Sequence, residues 1–196
     1  MVRFEERAYS KPAKTGVAGI GINDADYPTS YTQDGVKHVC PFYATWASML
    51  HRCYKPGFKP ASDLQVVEEW KTFSKFKAWM QGEDYEGRVL DKDMLKIGNK
   101  VYGPETCLFI TKAKNTLVRN PVGSKPTGVH KRSKNSFAVM CKLGGVMTKV
   151  GIFKTEKEAQ EAYIDAKLAH MRNLAALETN EKVKQALLNL PRIAFT

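Results

Sequence analysis

Two His-x-Cys pairs are the first residues whose types and spacing could hold a metal ion. His38-x-Cys40 and His51-x-Cys53 repeat one pattern 13 residues apart, and imidazole and thiolate are the ligands that Zn²⁺ prefers. Strong zinc signatures use tighter spacings, however, and Cys40 and Cys53 flank a predicted helix. The simpler interpretation is that the cysteines are small buried apolar residues without disulfides, as in a cytosolic protein. A structural zinc site is therefore one of two open readings of these pairs.

A second group of polar residues is concentrated around a predicted loop and the helix that follows it. Short β-prone runs separated by turn glycines predict a hairpin or two short strands; the runs are Val89-Leu90, Val101-Tyr102 and Leu108-Phe109-Ile110. A short helix is predicted to begin near Thr111. The polar residues are Asp91, Lys92, Asp93, Asn99, Glu105 and Asn115. Because turn-forming and capping side chains have the same composition, plain loop chemistry stays an alternative to a functional site.

Basic residues are concentrated toward the C-terminus of this chain of net charge +11. Residues 1–118 hold 17 Lys and Arg against 14 Asp and Glu, a net +3, whereas residues 119–196 hold 14 against 6, a net +8. A basic module favours a polyanionic partner, because each phosphate that it neutralises releases condensed counterions. A solvated basic surface and a patch for acidic lipid are the alternatives.

The elements that must position these residues begin with an irregular lead-in segment, residues 1–39. Three glycines in it, Gly16, Gly19 and Gly21, have a spacing found in some nucleotide loops. No strand–loop–helix unit surrounds them, so the signal is weak.

Two helices are predicted next. Pro41 can occupy the first turn of a helix, and apolar residues follow it at helical spacing. A second helix is predicted from about Ser62 or Val67 to Met80. Its broad aromatic face favours a packed core over a ligand platform.

The C-terminal part has the clearest strand pattern. Residues 119–127 are rich in proline, glycine and basic residues and are predicted to be a linker. Three strands follow, Gly128–Arg132, Ser136–Leu143 and Val146–Gly151, with Gly144-Gly145 as a hairpin turn. Met147 and Lys149 are expected to point outward, and the residues expected to point inward are Phe137, Val139, Cys141, Leu143, Val146, Thr148 and Val150.

Helices complete this part of the chain. Thr155-x-x-Glu158 is a capping box that opens one helix. Small alanines on one face of that helix let it lie close to the sheet. A last helix over Glu181–Leu190 is predicted to pack back on the body or to form a homodimer contact.

This order of three strands and a helix resembles the APETALA-type, or integrase-type, DNA-binding domain. The matching residues are Gly128-Val129, Phe137, Gly151-x-Phe153 and Ala162-Tyr163. The resemblance covers roughly residues 121–172. It implies that the exposed sheet face enters the major groove of duplex DNA. The residues in the corresponding region are His130, Lys131, Arg132, Lys134, Met140, Lys142, Met147 and Lys149.

Two stretches of the first part of the chain resemble phage proteins of the HNH-like homing endonuclease group. They are LDKD, residues 90–93, and the GNK-x-Y-x-PE-x-C pattern of residues 98–107. That resemblance covers about residues 38–118. It implies hydrolysis of phosphodiester bonds with a divalent metal, most simply magnesium held by Asp91 and Asn115. Lys92 fills the position of the usual base histidine, so Asp93, Glu105 or His51 is the alternative base. Asn99 is a further candidate catalytic residue.

The sequence as a whole predicts an α+β protein. Residues 40–118 form an N-terminal helical module with a small HNH-like β-hairpin and helix, and residues 128–196 hold a three-stranded antiparallel sheet packed on one helix, followed by the last helix. The expected function is a phage-type DNA endonuclease that binds double-stranded DNA. The alternatives are a DNA-binding regulator without catalysis and a host-directed protein-interaction factor. Since no apolar run reaches the roughly 18 residues of a membrane span, no membrane partner and a cytoplasmic location are expected.

Overall fold

The structure is a computed structural model that describes residues 4, 16–55, 57, 63–96, 98–119 and 128–194. The fold is mixed α+β. The chain divides into two compact units, which we describe one at a time. The first contains Met1–Lys92 and Gly98–Phe109, and the second contains Asp93–Ile97 and Ile110–Thr196. The predicted linker lies outside the described residues except for Arg119.

The lead-in segment contains a β-hairpin, which corrects the expectation that residues 1–39 are irregular. Strands β1 (Ser30–Gln33) and β2 (Val36–Val39) pair antiparallel. Asp34 and Gly35 form the turn with φ of 51° and 74°. A two-residue hairpin turn of this kind needs positive φ at both positions, and Asp-Gly tolerates it.

Helix α1 (Pro41–Tyr54) begins at the predicted proline. Trp46, Met49 and Leu50 are its buried residues, and the indole N–H of Trp46 donates to the carbonyl of Trp70 at 2.7 Å. Gly21 approaches the same helix closely, since a Cβ there would lie 2.3 Å from Cδ1 of Leu50. Packing therefore explains this glycine without a nucleotide.

The predicted second helix is shorter than expected. Strand β3 (Gln65–Val66) and a 3₁₀ turn (Glu68–Lys71) precede helix α2 (Phe73–Gln81). The residues before the helix are extended because β3 pairs in parallel with β5 (Val101–Tyr102), a partner far away in sequence. The aromatic face forms the core, as predicted, with Trp70, Phe73 and Phe76 buried.

The β-prone runs after residue 88 are strands, but they do not form one hairpin. Strand β4 (Val89–Asp91) shares a two-stranded sheet with β6 (Leu108–Ile110). Strand β5 lies between them in sequence yet belongs to the sheet with β3. The predicted polar loop thus connects strands of two different sheets.

In the second unit, helix α3 (Lys112–Arg119) begins next to the predicted Thr111. Strands β7 (Val129–Ser133), β8 (Ser136–Leu143) and β9 (Val146–Phe153) form an antiparallel sheet in that order. Helix α4 (Glu156–Ala176) begins with the predicted capping box. It packs on the sheet through a core of Phe137, Val139, Cys141, Ala159 and Tyr163.

Strand β9 differs from the predicted alternation. Its register with β8 shifts by one residue, from Val139 opposite Gly151 to Met140 opposite Lys149. Such a bulge adds one residue to a strand and reverses the facing of the residues beyond it. Val150 packs on the core, and Thr148 and Val146 lie opposite Cys141 and Leu143, on the side of α4 as predicted. Neither of the two is buried, however, and Val146 is 68% exposed. They lie at one end of an edge strand, whereas the buried strand residues under α4 come from β8.

Helix α5 (Glu181–Ala194) packs on α4, as one of the two predictions for it stated. Val183, Ala186 and Leu187 are its buried residues among those whose side chains are described. Within the described ranges no helix is both long enough and apolar enough to cross a bilayer.

Candidate functional site

The sheet of the second unit has a face opposite α4, which we call the outer face. Residues paired across antiparallel strands lie on the same side of a sheet. The pairs His130–Ala138 and Ala138–Ile152 form one row across the strands. The pairs Met140–Lys149 and Lys142–Met147 form two further rows. The outer face therefore consists of His130, Ala138, Met140, Lys142, Met147, Lys149 and Ile152.

The charged side chains of this sheet are all positive. Residues 128–154 contain six Lys and Arg and neither Asp nor Glu. In the part of the chain that the structure describes, none of these six cations forms an ion pair. They are Lys131, Arg132, Lys134, Lys142, Lys149 and Lys154. An anionic ligand would thus meet positive charge that no acidic side chain already neutralises.

The predicted DNA-contacting residues fall into two groups. His130, Lys142 and Lys149 lie on the outer face. Lys131 is opposite Phe137, on the side of α4, although its side chain is exposed. Arg132 lies where the register of β7 shifts, and Lys134 lies in the β7–β8 turn. These three residues extend the positive charge to the end of the sheet.

Apolar side chains on the outer face are exposed to solvent. Met147 is 57% exposed and Ile152 is 46% exposed. Sequence reasoning identified Met147 but missed Ile152, because the bulge at Val150 changes which residues of β9 point outward.

In the first unit, the side chains of Lys92 and Asn99 each donate a hydrogen bond to the other residue's backbone carbonyl across the polar loop. The ammonium group of Lys92 donates to the carbonyl of Asn99 at 2.6 Å, and the amide of Asn99 donates to the carbonyl of Lys92 at 3.0 Å. The Asn99 amide also donates to the carbonyl of Val101 at 2.6 Å. These bonds fix the loop between β4 and β5, which is the structural role that the loop alternative assigned to these residues.

The other candidate catalytic residues occupy different surroundings. Asp91 is buried, with 5% exposure, at the end of β4. Burial, and secondarily the charge of Asp91, raises the pKa of the neighbouring Cys107 thiol to about 12. Glu105 is exposed in the turn before Cys107.

Two predicted site residues belong to the second unit. Asp93 is half-buried. Asn115 lies on α3, and within the described ranges its buried Oδ1 has no hydrogen-bond partner.

The described residues do not bring together a metal-binding group. No three His, Cys, Asp or Glu side chains are grouped as a metal ion would require anywhere in the described ranges. Asp91 and Asn115 fall in different units. Magnesium binding by Asp91 and Asn115 stays a prediction.

The predicted zinc ligands have other roles. His38 stacks on the ring of Tyr31 with centroids 4.9 Å apart, and Cys40 is buried at the start of α1. Burial raises the pKa of the Cys53 thiol to about 11, and His51 lies in the last turn of α1. The four residues do not form a ligand group, so the alternative of ordinary buried cysteines fits Cys40.

A small cavity in the first unit was not predicted. It has a volume of about 250 Å³ and is lined by Arg52 of α1 and Arg88 before β4. Arg88 is paired with Asp84, and Arg52 lies 3.5 Å from the hydroxyl of Ser48. The two arginines are 36 residues apart in sequence, and no local pattern links them.

No protein-family model matches this chain, and neither a curated protein nor a solved structure matches it.

Proposed function

We propose that this protein binds duplex DNA through the outer face of the β7–β9 sheet. The observation that carries the proposal is a sheet face with exposed side chains in a segment with six cations and no acidic residue. A two-stranded ribbon fits the major groove, which is about 12 Å wide. Lysines beside it neutralise phosphates and release their counterions. The APETALA-type resemblance of the sequence agrees with this placement, and such an activity belongs in the cytoplasm of the cell that holds the DNA.

The acidic residues of the second unit support a directional interface. The first acidic residues after the sheet, Glu156 and Glu158, lie on α4, the helix that packs on the other face. Duplex DNA is therefore attracted to the sheet side of this unit and not to its helical side. A membrane of acidic lipid is the competing polyanion.

The test compares two double variants with equal loss of charge. Lys142→Gln with Lys149→Gln removes two cations from the outer face. Lys157→Gln with Lys182→Gln removes two exposed cations from α4 and α5. Binding to a fluorescent duplex is followed by anisotropy from about 50 to 200 mM salt. The outer-face variant should bind about tenfold more weakly, with a salt slope smaller by about 2, and the helix variant should change little.

Three results would overturn the proposal. One is equal affinity of the outer-face variant and the wild type for the duplex. Another is wild-type binding that does not change with salt, which would favour a protein partner. Vesicles of acidic lipid serve as the control polyanion, and tighter binding to vesicles than to DNA would also contradict the proposal.

Phosphodiester hydrolysis is a second candidate function. The observation that favours it is the burial of Asp91, one of two charged residues that are buried as whole residues in the described part of the chain. Burying a carboxylate is costly, and such residues are often functional. Supercoiled DNA incubated with magnesium or with chelator tests this candidate. Cleavage that needs magnesium and is lost in Asp91→Asn supports it, whereas bound but uncut DNA leaves a DNA-binding regulator.

A further inference from the structure

The centre of the outer face is apolar, and the cations on this face are the lysines Lys142 and Lys149. Ala138 and Ile152 are paired in one row, Met140 is opposite Lys149, and Met147 is opposite Lys142. Arg132, the only arginine in residues 128–154, lies at the register shift near the β7–β8 turn. Guanine is usually read by arginine or lysine, and adenine by asparagine or glutamine, through paired hydrogen bonds. Of these four types, only lysine occurs among the seven outer-face residues, as Lys142 and Lys149.

We infer that the outer face recognises the 5-methyl groups of thymine, so that the protein prefers A·T-rich duplexes. This inference rests on the proposed DNA binding. The thymine methyl group is the one apolar feature at the major-groove edge of unmodified base pairs. Met147 and Ile152 are about half exposed and have apolar surface to bury against it. Lys142 and Lys149 stand directly opposite outward methionines and hold the phosphates on either side.

The spacing of the apolar residues suits a short run of base pairs. Ala138 and Lys142 mark two rows that are four residues apart on β8. That separation is roughly 13 Å along a strand, about the length of four base pairs. Ile152 in the first row and Met147 in the second thus contact methyl groups at opposite ends of such a run.

The experiment uses the full chain and two duplexes that differ only in methyl groups. One duplex contains a thymine-rich centre, and the other has deoxyuridine in place of every thymine there, which keeps the base pairing. Wild-type protein should bind the thymine duplex more tightly than the deoxyuridine duplex. Each fully buried methyl group should contribute a factor of about four, and two or three partly buried methyl groups together a factor of about ten. A G·C duplex should gain affinity when its cytosines carry a 5-methyl group.

Variants assign the effect to residues. Met147→Ala and Ile152→Ala should each bring the thymine-to-deoxyuridine affinity ratio closer to one. Lys142→Gln should weaken binding to both duplexes and leave the ratio unchanged. Leu188→Ala, at an exposed leucine of α5, is the matched control and should change neither quantity.

The outcomes separate the inference from the proposed function. Equal wild-type affinity for the thymine and deoxyuridine duplexes overturns methyl recognition and leaves DNA binding in place. Binding to neither duplex overturns DNA binding itself. A preference for thymine that survives in both apolar variants overturns the assignment to Met147 and Ile152.

Discussion

Gly128 lies where the start of β7 passes under the ring of Tyr163. A Cβ at this position would lie 2.0 Å from the carbonyl oxygen of Met140 and 2.5 Å from the Tyr163 ring. The carbonyl of Gly128 also accepts a hydrogen bond from the amide of Met140 at 2.8 Å. Only a residue without a side chain fits between the strand and the helix.

We therefore expect Gly128→Ala to destabilise the second unit by about 2 kcal/mol, the usual cost of overpacking. Amide hydrogen exchange at Val139 and Cys141 in β8 measures this directly and should be about 30-fold faster. Gly82→Ala is the control, because φ is −83° there and a Cβ would meet only an ordinary contact, 3.5 Å from the carbonyl oxygen of Trp79. Unchanged exchange in Gly128→Ala would contradict the close approach.

His170 of α4 accepts a hydrogen bond at Nε2 from the amide of Gly144, at 3.0 Å. Burial of the ring lowers the pKa of His170 below its usual value of 6.5. The folded state thus favours the neutral ring, which has a lone pair at Nε2.

The free energy of unfolding should carry a pH-dependent contribution from His170. Because the unfolded histidine takes up a proton more readily, this contribution is complete above about pH 6.5 and falls as the pH decreases toward the folded pKa. Urea unfolding at pH 7.5 and 5.5, followed by circular dichroism, measures it. His170→Leu should lose less stability between these two pH values than the wild type does. An equal loss in both proteins would show that His170 does not contribute.

At the scale of elements, an ion pair joins α3 to the end of α4. Lys114 pairs with Glu178, and their side chains are only 15% and 5% exposed. Burial opposes ionisation of Glu178, but the hydrogen bonds from Lys114 and from backbone amides outweigh it and lower the pKa of this carboxyl. The pair therefore stabilises the fold above the ordinary glutamate pKa near 4.5 and loses that effect as the pH falls below it.

Removing one partner leaves the other charge buried and alone. We expect Lys114→Ala to cost about 3 kcal/mol of unfolding free energy in urea titrations. The double variant Lys114→Met with Glu178→Leu should recover most of that loss, because two apolar side chains leave no buried charge. A single variant within about 0.5 kcal/mol of the wild type would show that the pair is exposed in solution.

Elements with a local signal could be predicted from the sequence. Pro41 marks the start of α1, Thr155 and Glu158 cap α4, and paired glycines turn the chain between β8 and β9. The β1–β2 hairpin also had a local signal in Asp34-Gly35, which the prediction overlooked.

Elements that depend on distant partners could not be predicted. Residues 65–66 are extended because β5, more than 30 residues later, supplies their hydrogen bonds. No periodicity in the sequence reveals a parallel partner at that distance. The bulge in β9 is a shift in its register with β8, and it places Ile152 on the outer face. The sequence thus predicted the cations of the candidate interface. Of its apolar residues it predicted Met140 and Met147 but not Ile152.

At the scale of the whole molecule, positive charge is concentrated in one segment. Residues 119–196 carry a net +8, and residues 128–154 carry six of their cations without an acid. This distribution was visible in the sequence before any fold was known. The structure adds that the segment is one sheet with Met147 and Ile152 exposed on its outer face. In the first unit, the Lys92–Asn99 pair holds a loop.

The most direct measurement of the central claim is NMR of methionine methyl groups during titration with a duplex. The chain has seven methionines; Met140 and Met147 lie on the outer face, and Met171 of the same unit is buried. DNA binding through the sheet should shift the Met140 and Met147 signals and leave that of Met171 in place. Shifts at other methionines with Met140 and Met147 unchanged would contradict the proposed interface.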